Sequence, residues 1–449
     1  MTSSQHNPVE GKNDRFSSSG FILAAIGSSV GLGNMWKFPY ITGENGGAAF
    51  FLLFIVCLIL IGLPLLLAEL AIGRSGRGSA ATSFVKAGGS KVFGRLGLLQ
   101  VIAPFLILTF YVIVAGWTLH YAVQSFSGAL YSNSDYSGQF GAFTQGYMPI
   151  VWQAVAILIT GWVVGKGISG GIEKFNKVLI PGMIILLIVL MIRAVTLPGA
   201  GAGVSFFLQP DFSKLSPNAA LVALGHAFFS LSLGMGILLT YGAYVDKRQS
   251  LGAATLAIGA GDLIYAFIAG LIIFPTTASF GIQPDAGPSL VFMALPAAFS
   301  AMPLGAFFGG LFFVLLAIAA LTSAVSLLEV PVSFAMDRWG WGRVKSVVLI
   351  SVLVLLVGLP SAFSFGITPA LTDMGGKSFF DWLDFITSNI LLPVGGLITT
   401  VFVGYFWKNA AEAAGLKAGW FRVWLFMVRY IAPVLVFLVL LHTTGILKL

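Results

Sequence analysis

Long apolar runs succeed one another from about residue 20 to residue 446, leaving little of the chain for anything else. A helix needs roughly 20 predominantly apolar residues to cross a bilayer core. Eleven runs approach or exceed that length, at 20–42, 49–72, 96–126, 149–166, 173–195, 218–244, 251–275, 304–336, 346–365, 379–407 and 421–446, called spans 1 to 11 below. Only 9% of the 449 residues are charged, against about a quarter in a water-soluble domain. A soluble globule must clothe its surface in polar groups, so one aqueous core is excluded. In lipid each run must satisfy its own backbone N–H and C=O groups. The pattern therefore predicts an all-α polytopic membrane protein.

An odd number of spans puts the two ends on opposite faces. With the N-terminus cytoplasmic, nineteen of the 24 Lys and Arg residues fall on that face. The other five are Lys37, Arg193, Lys214, Lys377 and Lys448. This is the positive-inside pattern, and it accounts for the net charge of +8 without a nucleic-acid partner. The one cysteine, Cys57, lies inside an apolar run, which leaves no disulfide framework and no Cys-based metal site. Residues 1–19 are polar and no cleavage site follows span 1, so a retained cytoplasmic segment is expected. No obligate protein partner is evident.

Two spans break the apolar pattern at mid-depth. Span 1 carries Gly27-Ser28-Ser29-Val30-Gly31-Leu32-Gly33-Asn34, and span 6 carries Phe229-Ser230-Leu231-Ser232-Leu233-Gly234-Met235-Gly236. Glycine costs about 1 kcal/mol relative to alanine in a helix, so both segments are poor helix formers. Small residues also let helices pack closely. Two such runs five spans apart, each mixing glycine with hydroxyl groups, favour unwound backbone around a binding site instead. Half-helix N-termini then face an anionic group and freed carbonyls face a cation. The five-span spacing is the one expected if spans 1–5 and 6–10 are inverted repeats, which would divide the chain into a cytoplasmic segment 1–19, a first repeat 20–195 (spans 1–5), and an extracellular connection 196–217. An inverted second repeat 218–407 (spans 6–10) and a last unit 408–449 complete it.

The residues Gly27 to Tyr40, with Glu44-Asn45-Gly46-Gly47, Ser230 to Gly234 and Leu321-Thr322-Ser323, closely resemble the signature of the neurotransmitter:sodium symporter family. The similarity covers all the spans and points to the bacterial eleven-span branch, typified by a multi-hydrophobic amino acid transporter. The resemblance implies a leucine-transporter-like fold in a bacterial inner membrane, the C-terminus outside. It implies a first sodium site from the Ser29 carbonyl, Asn34, Ser230, Asp262 and the substrate carboxylate. A second would use carbonyls of Gly27, Val30 and Ala319 with the hydroxyls of Thr322 and Ser323. These groups are all oxygens, the ligand type a hard cation prefers.

By the same resemblance, N–H groups near Leu32 and Gly33, with the Tyr111 hydroxyl, hold an amino-acid carboxylate. Carbonyls around Phe229 and Ser232 take the ammonium. Ile107, Phe229, Met235, Ser323 and Leu327 line the side-chain room, with Ser28 near its mouth. Met235 stands where the leucine-transporting member has an aromatic residue. Methionine adapts to varied shapes, so large aliphatic and aromatic substrates are expected. Lys37 and Asp384 match an outer gate, with lysine in place of the usual arginine and hence no bidentate fork. Arg15 or Lys12 with Asp337 would close the inside. Gly171 and Pro181 bracket a stretch of span 5 expected to unwind and admit water to the second sodium.

Charges within spans are costly and mark function by default. Relatives that need chloride hold it with side chains where this chain has Phe54, His226, Ser230 and Ala266. Asp262 adds a fixed negative charge nearby, so no chloride is expected. His226 offers a pH-sensitive group, Glu69 is expected to be a buried structural carboxylate, and Glu329 has no assigned part. The expected function is sodium-coupled uptake of hydrophobic amino acids by alternating access. Proton coupling through Asp262 and His226 is an alternative, as is a channel or sensor on the same scaffold. No nucleophile–base motif, metal cluster or P-loop supports an enzyme.

Overall fold

The computed structural model describes residues 14–282, 290–444 and 446. Among these residues there is no strand, and nine helices are long and apolar enough to cross a membrane. They are Ala48–Gly76, Lys91–Phe126, Met148–Gly165, Ile168–Val195, Leu251–Ser279, Gly305–Trp339, Arg343–Phe363, Phe379–Phe406 and Ala418–Thr443. Each coincides with a run read from the sequence. Spans 1 and 6 are absent from that set because each is interrupted. Span 1 is Ser18–Ser29, then a π-helical turn Gly33–Lys37 running into Phe38–Glu44. Span 6 is Pro217–Ser230 and Ile237–Ala243.

Several spans widen into a π turn just before a proline. Gly33–Lys37 precedes Pro39, Leu58–Gly62 precedes Pro64, Thr387–Leu391 precedes Pro393, and Met427–Ile431 precedes Pro433. Proline has no N–H and its ring crowds the carbonyl four residues earlier. One wide turn relieves that crowding without ending the helix. Span 5 begins at Ile168, earlier than expected, with the π turn Ile168–Glu173 holding Gly171. Pro181 lies inside the continuous helix Lys174–Val195, so the stretch expected to unwind is wound here. The 196–217 connection carries a short helix, Ala200–Leu208.

Of the nine unbroken spans, span 8 is the most enclosed: 83% of its apolar stretch is buried, against 28% for spans 5 and 11. It runs beside spans 1, 3 and 5. Leu158, Trp162, Val178, Ile185, Val344 and Phe437 point outward from the peripheral helices. An apolar surface of this extent suits lipid rather than water. The two broken spans thus lie against an enclosed helix, within a lipid-facing shell.

Candidate functional site between the broken spans

The span 1 helix stops at Ser29, and Val30 is extended (φ −86°, ψ 90°). A Cβ on Gly31 would lie 2.5 Å from the Ser323 hydroxyl and 3.2 Å from the Tyr111 hydroxyl, so only glycine leaves those groups in place. In span 6, Ser232, Gly234 and Gly236 all have positive φ. A Cβ on Gly234 would meet the Leu392 carbonyl oxygen at 2.1 Å. The Gly234 N–H donates to Glu69 Oε1 at 2.8 Å, so the buried Glu69 side chain satisfies freed backbone at the break. The Ser232 hydroxyl donates to the Ser28 carbonyl at 3.0 Å and ties the two breaks together.

Beside the breaks lies a buried oxygen cluster. Asn34 Nδ2 donates to Asp262 Oδ1 at 2.8 Å and to Ser230 Oγ at 3.0 Å, and the Ser230 hydroxyl donates to the same Oδ1 at 2.7 Å. The other oxygen, Asp262 Oδ2, is buried and has no protein donor. Asn34 Oδ1 accepts only a long bond from the Gly31 N–H, at 3.4 Å. A buried carboxylate without a cationic partner is costly. Oxygens oriented by neutral donors fit a small hard cation that would supply the missing charge. The Ser29 hydroxyl bonds back to the Ala25 carbonyl.

A second set of oxygens meets on the other side of the span 1 break. Ser323 Oγ lies 3.3 Å from the Ser28 carbonyl and 3.5 Å from that of Gly27. Thr322 Oγ1 bonds the Ala319 carbonyl at 3.1 Å, the local back-bonding common to helical threonine. The Val30 N–H donates to the Ile26 carbonyl at 2.7 Å. Of the five expected ligands, Gly27 and Ser323 are therefore in contact, and Ala319 and Thr322 are bonded to each other.

Between these groups is a small cavity. Ser28, Gly33, Ile107, Tyr111, Phe229, Ser232, Met235, Ser323 and Leu327 all line it, as expected from the sequence. Leu32 does not. Its N–H lies 3.4 Å from the Tyr111 hydroxyl, and its side chain faces a second cavity. Ser29, expected only as a sodium ligand, also lines the first cavity, as do Gly31 and Ile237, which were not expected there. Ile237 opens the second half of span 6, a position that the Met235-Gly236 sequence could have flagged.

The second, larger cavity is walled by Trp36, Lys37, Phe110, Trp117, Phe380 and Asp384 among others. Tyr111 and Phe229 belong to both cavities and lie between them. The expected Lys37–Asp384 gate is not a direct ion pair. No contact within 4.0 Å joins the two, and Asp384 accepts the Ser388 hydroxyl at 2.7 Å. Lys37 Nζ instead sits 4.9 Å from the Phe229 ring centre. An ammonium over a ring face is attracted by the ring quadrupole, and lysine lacks the fork that would reach across.

The expected Arg15–Asp337 pair is also corrected. Asp337 accepts from Lys86 at 3.3 Å, the Ser79 N–H at 3.0 Å and the Thr82 hydroxyl, while Arg15 is exposed. Lys12 lies outside the described residues. The connection is made by Asp14, whose carboxylate accepts from Arg343 at 3.3 Å and from the Ile168 N–H at 2.6 Å. Arg343 in turn binds Glu329 at 2.7 Å, and the Tyr244 hydroxyl joins at 3.1 Å. Short side chains on a helix end take the nearest donors, here the helix starting at Ala80. Glu173 was missed: it accepts from the Ser17 N–H at 2.8 Å and from Lys177 at 2.5 Å. An acidic residue four before a lysine at a helix start was its signal.

His226 lies between Phe38 (5.6 Å) and Phe54 (5.1 Å), and neither ring nitrogen has a protein partner. Ser230 beyond it is engaged by Asp262 and Asn34.

The comparisons with known proteins agree with this geometry. The family model described as the sodium:neurotransmitter symporter family matches residues 14–136 and 143–448. The chain is 38% identical to the sodium-dependent transporter YhdH of Bacillus subtilis, over 96% of this chain and 97% of that protein. It is 36% identical to a sodium-dependent transporter of Haemophilus influenzae, over 93% and 95% of the two chains. A crystal structure of MhsT in complex with L-phenylalanine superimposes with a TM-score of 0.90 at 43% identity, covering 96% of this chain and all of that one. Two broken helices beside buried oxygen clusters, in a fold shared with these transporters, serve transport and not an enzyme's chemistry: the chain belongs to the sodium:neurotransmitter symporter family.

Proposed function

We propose that this protein takes up large aliphatic and aromatic L-amino acids across a bacterial inner membrane, driven by two sodium ions and without chloride. The observation that carries the reading is Asp262. Its carboxylate is buried beside the span 1 break, oriented by Asn34 and Ser230, with no cationic side chain on it. A first sodium there would neutralise Asp262 and meet the substrate carboxylate. A second would sit near Gly27, Val30, Ala319, Thr322 and Ser323. With the carboxylate fixed in the protein, no mobile anion is needed. The positions of Phe54, His226 and Ala266 support this, since two rings and a methyl group offer chloride poor company.

The cavity wall supports an apolar substrate: Ile107, Met235, Ile237 and Leu327 line it together with the polar Ser28, Ser232 and Tyr111. A relative of the same fold is captured with L-phenylalanine. The face carrying Asp14 is the cytoplasmic one in this reading, as the distribution of Lys and Arg suggests. In alternating access, the Lys37–Asp384 side and the Asp14 side open in turn, and span 5 between Gly171 and Pro181 loosens in the inward form.

The test is uptake of labelled phenylalanine and leucine into proteoliposomes. Accumulation is expected with a sodium gradient and is abolished when potassium replaces sodium. Replacing chloride by gluconate leaves it unchanged, and Asp262→Asn makes it chloride-dependent or inactive. Accumulation driven by a pH gradient alone would overturn sodium coupling.

A further inference from the structure

One buried amide is used by nothing described so far. Asn176 lies on span 5, between Gly171 and Pro181, and is fully buried. Its Nδ2 donates to the Ile172 carbonyl one turn earlier, at 2.9 Å, which sets the orientation of the amide. Oδ1 consequently points away from its own helix. It is buried and receives no protein donor. It faces Gly27, three residues before the span 1 helix gives way at Val30: a Cβ on Gly27 would collide with Oδ1. Gly27 is the residue whose carbonyl is approached by Ser323.

An amide whose oxygen finds no partner is an expensive choice for packing, and a leucine would fill the same space more cheaply. The neighbours make the position specific. One turn toward the chain's N-terminal face, Glu173 binds Ser17 and Lys177. One turn the other way, Ile180 closes on Gly27 with its Cδ1 3.1 Å from the same Cβ position. Asn176 therefore offers the one hard oxygen of span 5 aimed at Gly27, flanked by a polar contact on the solvent side and an apolar one on the inner side.

We propose that Asn176 is a relay for the second sodium ion: its Oδ1 takes the ion from the Gly27 carbonyl as it leaves toward the face carrying Asp14. This rests on the reading of a second sodium position at Gly27 and Ser323. A hard cation leaving a set of carbonyl and hydroxyl oxygens meets a lower barrier when a further neutral oxygen is within reach. The relay acts on release, and not on the amino-acid pocket, whose lining does not include Asn176.

The experiment compares Asn176→Leu with wild type in proteoliposomes and detergent. Release of radiolabelled sodium and net phenylalanine uptake should slow about tenfold, while equilibrium sodium binding and phenylalanine exchange at saturating sodium stay within about twofold. Asn176→Asp and Asn176→Ser, which keep an oxygen, should release sodium faster than Asn176→Leu, and they carry the test if the leucine variant does not fold. A parallel fall of exchange and net uptake would mean a packing role and overturn the relay. So would an unchanged release rate. Thr322→Ala with Ser323→Ala separates the two claims. If that pair removes one bound sodium while Asn176→Leu releases at the wild-type rate, the position stands and the relay fails. If the pair leaves sodium binding unchanged, the position itself is wrong and the relay falls with it.

Discussion

The two sides of the central cavity are held by different physics. On the side of the N-terminal segment, two groups of polar contacts, Asp14–Arg343–Glu329 and Ser17–Glu173–Lys177, meet at the π turn Ile168–Glu173, whose Ile168 N–H binds Asp14. Phe16 seals it against Tyr241 and Tyr244, with ring centres 5.2 and 6.5 Å away. On the opposite side, Lys37 and Asp384 do not touch, and Tyr111 and Phe229 line both the cavity and the second one beyond it. Opening the first side means separating ion pairs whose Glu329 and Glu173 members are buried and whose Arg343 is largely covered. Opening the second means turning two aromatic rings. The structure is thus firmly latched on one face and lightly closed on the other.

That contrast can be broken by substitution, most severely at Arg343. Arg343→Met leaves Glu329 buried without its cation, which costs about 3–5 kcal/mol. The melting temperature in detergent should fall markedly, and adding Glu329→Gln should recover most of the loss. A single variant that melts like wild type would mean that the pair does not latch this face. Glu173→Gln comes next. It removes the charge shared by Ser17 and Lys177, worth about 1.5 kcal/mol, and should raise thiol labelling of a cysteine placed at the buried Ser333. Unchanged labelling would restrict the latch to Arg343.

The smallest effect is expected across the cavity. Lys37→Ala loses a cation–ring contact worth about 0.5–1 kcal/mol and no ion pair, so the melting temperature should barely move. Lys37→Arg should sharpen the comparison by reaching Asp384 and slowing labelling of residues deep in the outer cavity. If Lys37→Ala destabilised as much as Arg343→Met, the two faces would be equally latched and the contrast would be gone.

The same contrast explains what could be read from the chain beforehand. The breaks were legible because glycine and serine stand out in an apolar run, and the cavity lining followed from them through the family resemblance. Asp262 was legible because a carboxylate within a span is rare. The latch was not. Asp14, Ser17, Glu173 and Arg343 are ordinary polar residues at span ends, and many partners are within their reach in sequence terms. Arg15 and Asp337 looked equally suitable, yet the helix starting at Ala80 brings Ser79, Thr82 and Lys86 to Asp337 first.

The sequence by itself determined that the chain lives in lipid, where its helices run, and where two of them must fail. Those properties depend on local composition: backbone groups in lipid must bond within their own helix, and glycine weakens that bonding wherever it clusters. Tertiary structure alone decided which polar groups meet. The distance from Lys37 to Asp384, the seat of Arg343 between Asp14 and Glu329, and the aim of Asn176 at Gly27 all depend on how separate helices are rotated and shifted. A shift of a few ångströms exchanges one hydrogen-bond partner for another, while leaving every apolar run intact.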